Sequence, residues 1–429
     1  MIKPQETYRL VYPDVPNPSP TYISYGLNYT DACARHVEGT FDAKRVYIIA
    51  STTLSHKTSF VSDLEKALGP RHVKTWRGIR PHSPWDDLVP IINDMRALNP
   101  DLLVTLGGGS LADGAKVIVY ALANGVGKVA DLEKILASSD EDKGAGGAAA
   151  HVRNRTGQGH DPTVPMVFIP TTLSAGEYSS LAGSANPTTH HKPVMKHDKT
   201  YARLVILDPA LTTTTPEWVW LSTGVRAIDH CVEALCTKDL PAIVRTAADT
   251  SLPTLVTTLL RTKSDPTLLQ PRLDAMVAAS RITVKLMYVP RIFSGCSHGI
   301  GHQLGPLGVG HGHTSCVLLP AVLRFNLAEP GQREKQEHVK DLIWREGGDE
   351  VRRVLTDAGL EESTADASSS LRAIFDALGM PSTLKDVGVG PEHFDALAVN
   401  SLDDFCTMAN PVKIVDKSQI LEILNMVAG

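Results

Sequence analysis

Apolar side chains occupy consecutive positions in residues 45–50 (RVYIIA), 101–106 (DLLVTL), 164–169 (VPMVFI) and 203–208 (RLVILD). Short runs of this kind predict strands buried on both faces. The stretches 56–68 and 88–98 place apolar residues at helical spacing instead, and strand alternating with helix predicts a parallel α/β sheet. Residues 8–30 mix short apolar stretches with Pro and Gly and suit an edge hairpin ahead of the main sheet. From about Thr212 the strand-like runs stop and helical patterns continue to the end, with Pro216 placed to begin the first of them. Helices are expected over 223–237, 241–260, 271–288, 317–327, 371–378 and 417–427. The pattern divides the chain into an α/β region, 1–211, and an all-helical region, 212–429. The polar, Gly-rich stretch 138–163 interrupts the first region as a surface insertion.

A length of 429 residues suits two domains, and 42% hydrophobic with 21% charged residues is the balance of an ordinary globular protein. The net charge of -5, with no basic cluster interleaved with aromatics, argues against nucleic acid as a partner. No apolar run approaches the roughly 20 residues that a membrane helix needs, so no membrane partner is expected. The first ten residues lack the apolar core of a signal peptide, and the expected compartment is the cytoplasm. Cys33, Cys231, Cys236, Cys296, Cys316 and Cys406 form no CxxC pair and read as reduced core residues.

Three stretches carry candidate chemistry. The second strand runs into Gly107-Gly108-Gly109-Ser110-Leu111-Ala112-Asp113-Gly114-Ala115-Lys116. Glycines at a strand-to-helix turn let backbone N–H groups approach a phosphate, although a tight turn without a ligand needs them too. Thr171 and Thr172, at the end of the third strand, can bond a cofactor or close a turn. The segment 294–320 gathers His298, His302, His311 and His313. His298 and His302, four apart, share a helical face. Gly305, Gly308, Gly310 and Gly312 are expected to break the helix and return His311 on a loop beside them. Imidazoles so gathered can bind a metal, move a proton or polarise a carbonyl; the alternative is a set of hydrogen-bonded core histidines. Trp218, Trp220 and Phe293 suit the core better than a pocket.

GGGSLADGAK, IPTT with a following GE, ILDPALTTTTP, TGVRAIDHCVEAL, SHGIGHQLG, GHGHTSCVLLP and MANPVKI occur in the order seen in iron-containing (group III) alcohol dehydrogenases. The resemblance runs from about residue 20 to the end, and several blocks, including Ser51-Thr52 after the first strand, are most similar to the maleylacetate reductase branch. It implies a dehydroquinate synthase-like fold, in which an N-terminal nucleotide-binding α/β domain precedes an all-helical catalytic domain, with the active site in the cleft between them. It implies NADH or NADPH as cofactor, held by Ser51, Gly107, Gly108, Gly109, Ser110, Asp113, Thr171 and Thr172, with Lys116 supporting the turn. A neutral Ser51, where many members have an acid, admits the 2′-phosphate of NADPH. It also implies a homo-oligomer, commonly a dimer.

The family's metal ligands are one Asp and three His. His230, His298 and His311 match the histidines, but the aspartate position is Arg226. A guanidinium cannot ligate a cation and repels one nearby. Asp229, turned about 100° along a helix from His230, is a poor replacement. The expected enzyme is therefore a metal-independent, NAD(P)H-dependent reductase or dehydrogenase acting on a carbonyl, alcohol or activated enone. In it Arg226 stabilises an oxyanion or grips a carboxylate, and His230, His298, His302 and His311 handle protons. Two alternatives stand beside it: a metal-dependent Fe or Zn alcohol dehydrogenase using His230, His298 and His311, and a non-redox lyase, dehydratase or cyclase. Arg226 could also serve only to pair with Asp229 or Glu233.

Overall fold

A computed structural model describes residues 5–11, 20–136, 152–188, 193–288 and 294–429. The chain forms two compact units, Met1–Thr215 and Pro216–Gly429.

The first unit is built on a seven-stranded sheet. Its strands are β1 (Thr7–Leu10), β2 (Tyr22–Tyr25), β3 (Val46–Ala50), β4 (His72–Arg77), β5 (Leu102–Gly107), β7 (Met166–Pro170) and β10 (Leu204–Leu207), in the spatial order β1-β2-β10-β7-β5-β3-β4. All neighbours are parallel except β1 with β2, which is the antiparallel edge pair expected from residues 8–30. In β3, β5, β7 and β10 every residue is buried, because helices cover both faces. Val46, Ile48 and Ala50 pack with α1 (Tyr29–Gly39) and α3 (Phe60–Leu68), while α2 (Thr52–Lys57) precedes α3 where one continuous helix was expected. The alternate residues turn to the opposite face, the side of α4 (Trp85–Leu98) and α5 (Gly109–Ala123). After β3 the chain adds β4 on one side, then returns to place β5 on the other. The strand order therefore reverses between β3 and β5, and their carboxyl ends open there.

The remaining pieces of this unit are α6 (Val129–Leu136), α7 (Pro209–Thr212) and a small sheet of β6 (Val152–Asn154), β9 (Val194–Lys196) and β8 (Leu181–Gly183). The small sheet corrects the reading of 138–163 as plain insertion. Its last part is a strand paired with Val194–Lys196, while 138–151 lie outside the described residues.

The second unit is helical throughout its described residues. Its helices are α8 (Glu217–Cys236), α9 (Ala242–Ser264), α10 (Leu269–Tyr288), α11 (Cys296–Leu304), α12 (His311–Asn326), α13 (Gln332–Asp341), α14 (Gly348–Asp357), α15 (Ala367–Ala377), α16 (Phe394–Leu402), α17 (Phe405–Met408) and α18 (Lys417–Met426). Pro216 caps α8 from just outside it rather than occupying its first turn. Fifteen of the twenty residues of α8 are buried, so it is the axis around which the others pack rather than an amphipathic surface helix. Apolar residues of α11, α12, α16 and α18 form a second core. Pro320 lies inside α12 and removes a backbone donor, and Arg372 Nη1 bonds the Cys316 carbonyl four residues earlier at 3.0 Å.

Candidate active site

In the first unit the expected cofactor residues meet at the reversal point of the sheet. Ser51 follows β3, Gly107 ends β5, and Thr171 follows β7. The Ser51 N–H donates to the Leu106 carbonyl at 3.0 Å, and the Thr171 N–H to that of Gly107 at 3.2 Å. Gly108 caps α5 with extended backbone and so without a side-chain cap, and no acid stands in the first turn. These are the conditions under which a helix start attracts phosphate. The glycines are required sterically. A Cβ at Gly108 would lie 3.2 Å from Thr172 Cγ2, and one at Gly109 would lie 2.8 Å from Ser174 Oγ. The Ser51 hydroxyl accepts the Leu54 N–H at 3.3 Å and so also starts α2.

Behind the turn, Lys116 is fully buried. Its Nζ donates to the carbonyls of Gly176 and Leu181 at 2.6 and 2.8 Å, and Asp113 Oδ1 lies 3.6 Å away. Burial lowers the Lys116 pKa, against the pull of Asp113. Glu177 is buried beside them, and burial pushes its carboxyl up to about 7. Together these groups tie α5 to the chain that follows β7.

In the second unit, α8 presents Arg226, Asp229, His230 and Glu233, and α11 and α12 supply the groups they meet. Arg226 is 3% exposed. Its Nη1 donates to Ser315 Oγ at 3.0 Å and to Thr314 Oγ1 at 3.5 Å, and lies 4.0 Å from Asp229 Oδ2. Asp229 Oδ2 accepts from Ser297 Oγ at 2.7 Å and Ser315 Oγ at 2.6 Å. Glu233 accepts the N–H groups of Gly295 and Ser297 at 2.7 and 2.9 Å, which satisfies the start of α11 from a neighbouring helix. The same carboxylate lies 2.7 Å from His298 Nδ1, and Asp229 lies 3.3 Å from it. The rings of His230 and His298 stack with centroids 4.7 Å apart.

Asp229, one step from His230 along α8, meets His298 of α11. One expectation needs correction here. His311 begins a helix and is not on a loop. Gly312 sits inside that helix because a Cβ there would lie 2.5 Å from the Ser222 backbone of α8. His298 and His302 share a helix face but not a partner: His302 stacks with His311 at 6.1 Å and holds Asp404 at 2.9 Å through Nδ1. Trp220 is core and bonds Thr262, whereas Trp218 is 55% exposed and meets His313 with the rings tilted at 37°. Phe293 lies outside the described residues.

Burial and the Arg226 charge keep both deep histidines neutral. His230 falls to about 3, and His298 well below the ordinary imidazole range. Burial raises Asp229 to about 6 against the pull of Arg226, and burial with the neighbouring Asp229 raises Glu233 well above the usual carboxylate range. Four buried polar atoms of this cluster make no hydrogen bond among the described residues: Arg226 Nε, Asp229 Oδ1, His230 Nδ1 and His298 Nε2. Buried polar atoms are seldom left so, and four in one cluster mark a place for a polar ligand.

Residues 20–209 match the family model of iron-containing alcohol dehydrogenase, and residues 220–428 match the C-terminal model of the Fe-containing alcohol dehydrogenase family. The chain belongs to the iron-containing alcohol dehydrogenase family. Dehydrogenase FUM7 of Gibberella moniliformis is 36% identical over 429 residues, which span 96% of each chain. The maleylacetate reductase of a Rhizobium strain has the same fold, with a TM-score of 0.70 at 21% identity over 98% of both chains. The sulfoacetaldehyde reductase of Bifidobacterium kashiwanohense, solved with NAD+, matches with a TM-score of 0.75 at 17% identity, covering 97% of this chain and 99% of that one. Membership makes this chain an oxidoreductase of a family that uses NAD(P). Among the described residues, no helix is long and apolar enough to cross a membrane.

The family's name implies iron, and the donor set here does not fit it. By the sequence resemblance, Arg226 stands where the family's aspartate ligand would. The donor atoms that gather within 4.8 Å of one another among the described residues belong to Asp229, Glu233 and His298, and to His302, Asp404 and Cys406. Neither group is the set His230, His298 and His311. In the first group Asp229 and Glu233 are already engaged by hydroxyl or backbone donors, and a cationic guanidinium stands beside them.

Asp229, Glu233, Asp404, Ser297 and Ser315 were not anticipated as site residues. The spacing of Asp229 and Glu233, three and seven residues after Arg226, was the available signal for two of them. Nothing local to Asp404 marks it.

Proposed function

We propose that this protein is an NAD(P)H-dependent, metal-independent reductase or dehydrogenase of small carbonyl, alcohol or activated enone substrates. Ser51, Gly107, Gly108, Gly109, Ser110, Thr171 and Thr172 hold the dinucleotide, with Asp113 and Lys116 bracing the turn. The glycine turn suits a pyrophosphate, since its helix start has no side-chain cap and side chains at Gly108 or Gly109 would press on Thr172 and Ser174 beside it. Neutral Ser51 leaves NADH and NADPH both admissible. When bound, the nicotinamide supplies or takes the hydride.

The observation that carries the reading is Arg226, buried and cationic, at the family's metal-ligand position with its Nε unpartnered. There it performs the task of a Lewis acid by donating to the oxygen on which charge develops. The proton comes from the histidines. Glu233 holds a proton more readily than an ordinary carboxylate and His298 less readily than an ordinary imidazole. A protonated Glu233 therefore donates to Nδ1 and leaves the ring N–H on Nε2, the unpartnered end. His302, oriented by Asp404 and partly exposed, is placed to restore it from water. A reduction then balances as substrate carbonyl plus NAD(P)H plus one proton giving alcohol plus NAD(P)+.

The test is Arg226→Lys and Arg226→Met in metal-analysed protein, with nicotinamide fluorescence for cofactor binding and absorbance at the nicotinamide band for turnover. The reading expects unchanged cofactor affinity and turnover reduced by about 100-fold or more in the Met variant, the order lost with a single oxyanion donor. Unchanged turnover in both variants would remove Arg226 from the chemistry.

A further inference from the structure

Among the described residues, six that are not glycine have a left-handed backbone: Asp42, His82, Ser83, Asn99, Ala175 and Asp239. Asn, Asp and His enter that region more readily than other types, and Asn99 does so to end α4. Ser83, at φ 50°, and Ala175, at φ 56°, are of neither kind, and both are buried. Strain of this sort persists only where the surroundings over-determine the backbone, and it collects at ligand clamps. Both residues stand beside the glycine turn that opens α5.

Ser83 belongs to the turn 78–84 between β4 and α4, which is tied down at both ends. The Gly78 N–H donates to the Ala50 carbonyl at 2.8 Å, next to Ser51. The Ala185 N–H donates to the His82 carbonyl at 3.1 Å, and the Trp85 N–H to the Ala185 carbonyl at 3.0 Å. In between, the Ser83 hydroxyl donates to the Ser110 carbonyl at 2.7 Å, in the first turn of α5. A Cβ on Gly114, one turn further, would touch the Ser83 Cβ at 3.7 Å. The left-handed φ aims the hydroxyl, since an ordinary φ would redirect the Cα–Cβ bond away from α5. Ala175, for its part, joins Ser174 to Gly176. Ser174 Oγ is the group that a Cβ on Gly109 would meet at 2.8 Å, and the Gly176 carbonyl takes Lys116 Nζ at 2.6 Å. A turn that served only to join β4 to α4 would have no need of a strained serine, because glycine takes the same φ freely.

We propose that Ser83 and Ala175 are positioning residues of the dinucleotide site, holding Ser110 and Ser174 so that the start of α5 is already ordered when a pyrophosphate arrives. This rests on the cofactor reading above and adds to its residues. Binding then need not order the turn, which is how preorganisation raises affinity.

The experiment uses the full chain and two substitutions. Ser83→Ala keeps the strained backbone and loses the hydroxyl, whereas Ser83→Gly loses both the hydroxyl and the strain. Titration with NADH and NADPH by nicotinamide fluorescence should show both variants binding about 5–10-fold more weakly, the order of one lost hydrogen bond. Their stabilities should part, with the Gly variant unfolding at higher urea than the Ala variant, because a Cβ is costly at positive φ. Hydrogen exchange of the peptide covering 107–116 should quicken in both variants without cofactor and return to the wild-type rate when NADH is added. Unchanged affinity in both variants would overturn the inference while leaving the cofactor reading intact. Affinity that follows stability, with the Gly variant binding better than the Ala variant, would make Ser83 a folding residue only. If neither Ser83 variant folds, Ala175→Gly carries the test: it should weaken binding at least about threefold without lowering the unfolding midpoint, and unchanged binding would overturn the proposal. A wild-type chain that binds neither dinucleotide would sink the redox reading and this inference with it.

Discussion

Glu233 links the start of α11 to the ring of His298, so its removal should be felt in stability and in chemistry by separable amounts. Replacing it by Ala leaves the buried N–H groups of Gly295 and Ser297 without an acceptor and His298 Nδ1 without its nearest partner. Each orphaned buried polar group costs about 1–3 kcal/mol, so the three together put Glu233→Ala at about 3–9 kcal/mol in total. Glu233→Gln keeps one carbonyl oxygen for one N–H, turns an NH2 toward the other, and relieves the crowding with Asp229. Its cost should be about half as large. Because the chain has two units, the assay should be local. Hydrogen exchange of the peptide covering 295–304, followed by mass spectrometry, reports opening of α11, and urea unfolding gives the global change. The Gln variant tests the proton as well, since an amide cannot hold and release one at Nδ1. Turnover should fall in Glu233→Gln even where exchange across α11 is close to wild type. If Glu233→Ala changes neither exchange nor unfolding by as much as about 1 kcal/mol, the carboxylate is not what holds α11. If Glu233→Gln keeps full turnover, the proton route through His298 is wrong.

Two further outcomes follow from the first unit. Gly109→Ala would set a Cβ 2.8 Å from Ser174 Oγ in the cradle, and should weaken NADH and NADPH binding by at least about 10-fold with little change in unfolding midpoint; unchanged affinity would place the pyrophosphate elsewhere. Glu177 has a folded pKa of about 7 against 4.5 unfolded, so the folded chain binds the extra proton and the group's contribution is present below about 4.5 and lost as pH rises through 7. Between pH 5 and 7 that loss is about 2 kcal/mol, and the wild-type stability slope over this range should flatten in Glu177→Gln. Parallel slopes would show that Glu177 titrates normally.

The sheet was legible because β3, β5, β7 and β10 are covered on both faces, which writes an unbroken apolar run into each. The small sheet of β6, β9 and β8 was not, since three-residue strands with polar members leave no period to read. The glycine turn could be found because a strand, three glycines and a helix are contiguous in sequence. The candidate cluster was half legible. Arg226, His230, His298 and His302 stood out by type and spacing, but their orienting partners come from other helices. Asp404 is about a hundred residues from His302, and no local pattern joins them. Gly312 shows the limit most clearly. A glycine within four residues of two others reads as a breaker, and only the backbone of Ser222 pressed against it explains why it belongs in a helix.

The central claim is that a guanidinium replaces the metal of this family. It is tested most directly on one sample, expressed with iron and zinc supplied, purified without chelator and analysed for metal, then titrated with NADPH and NADH by nicotinamide fluorescence and assayed for turnover before and after chelation. The account predicts dinucleotide binding, metal far below one ion per chain, and turnover indifferent to chelator. One tightly held ion per chain whose removal abolishes turnover would contradict it.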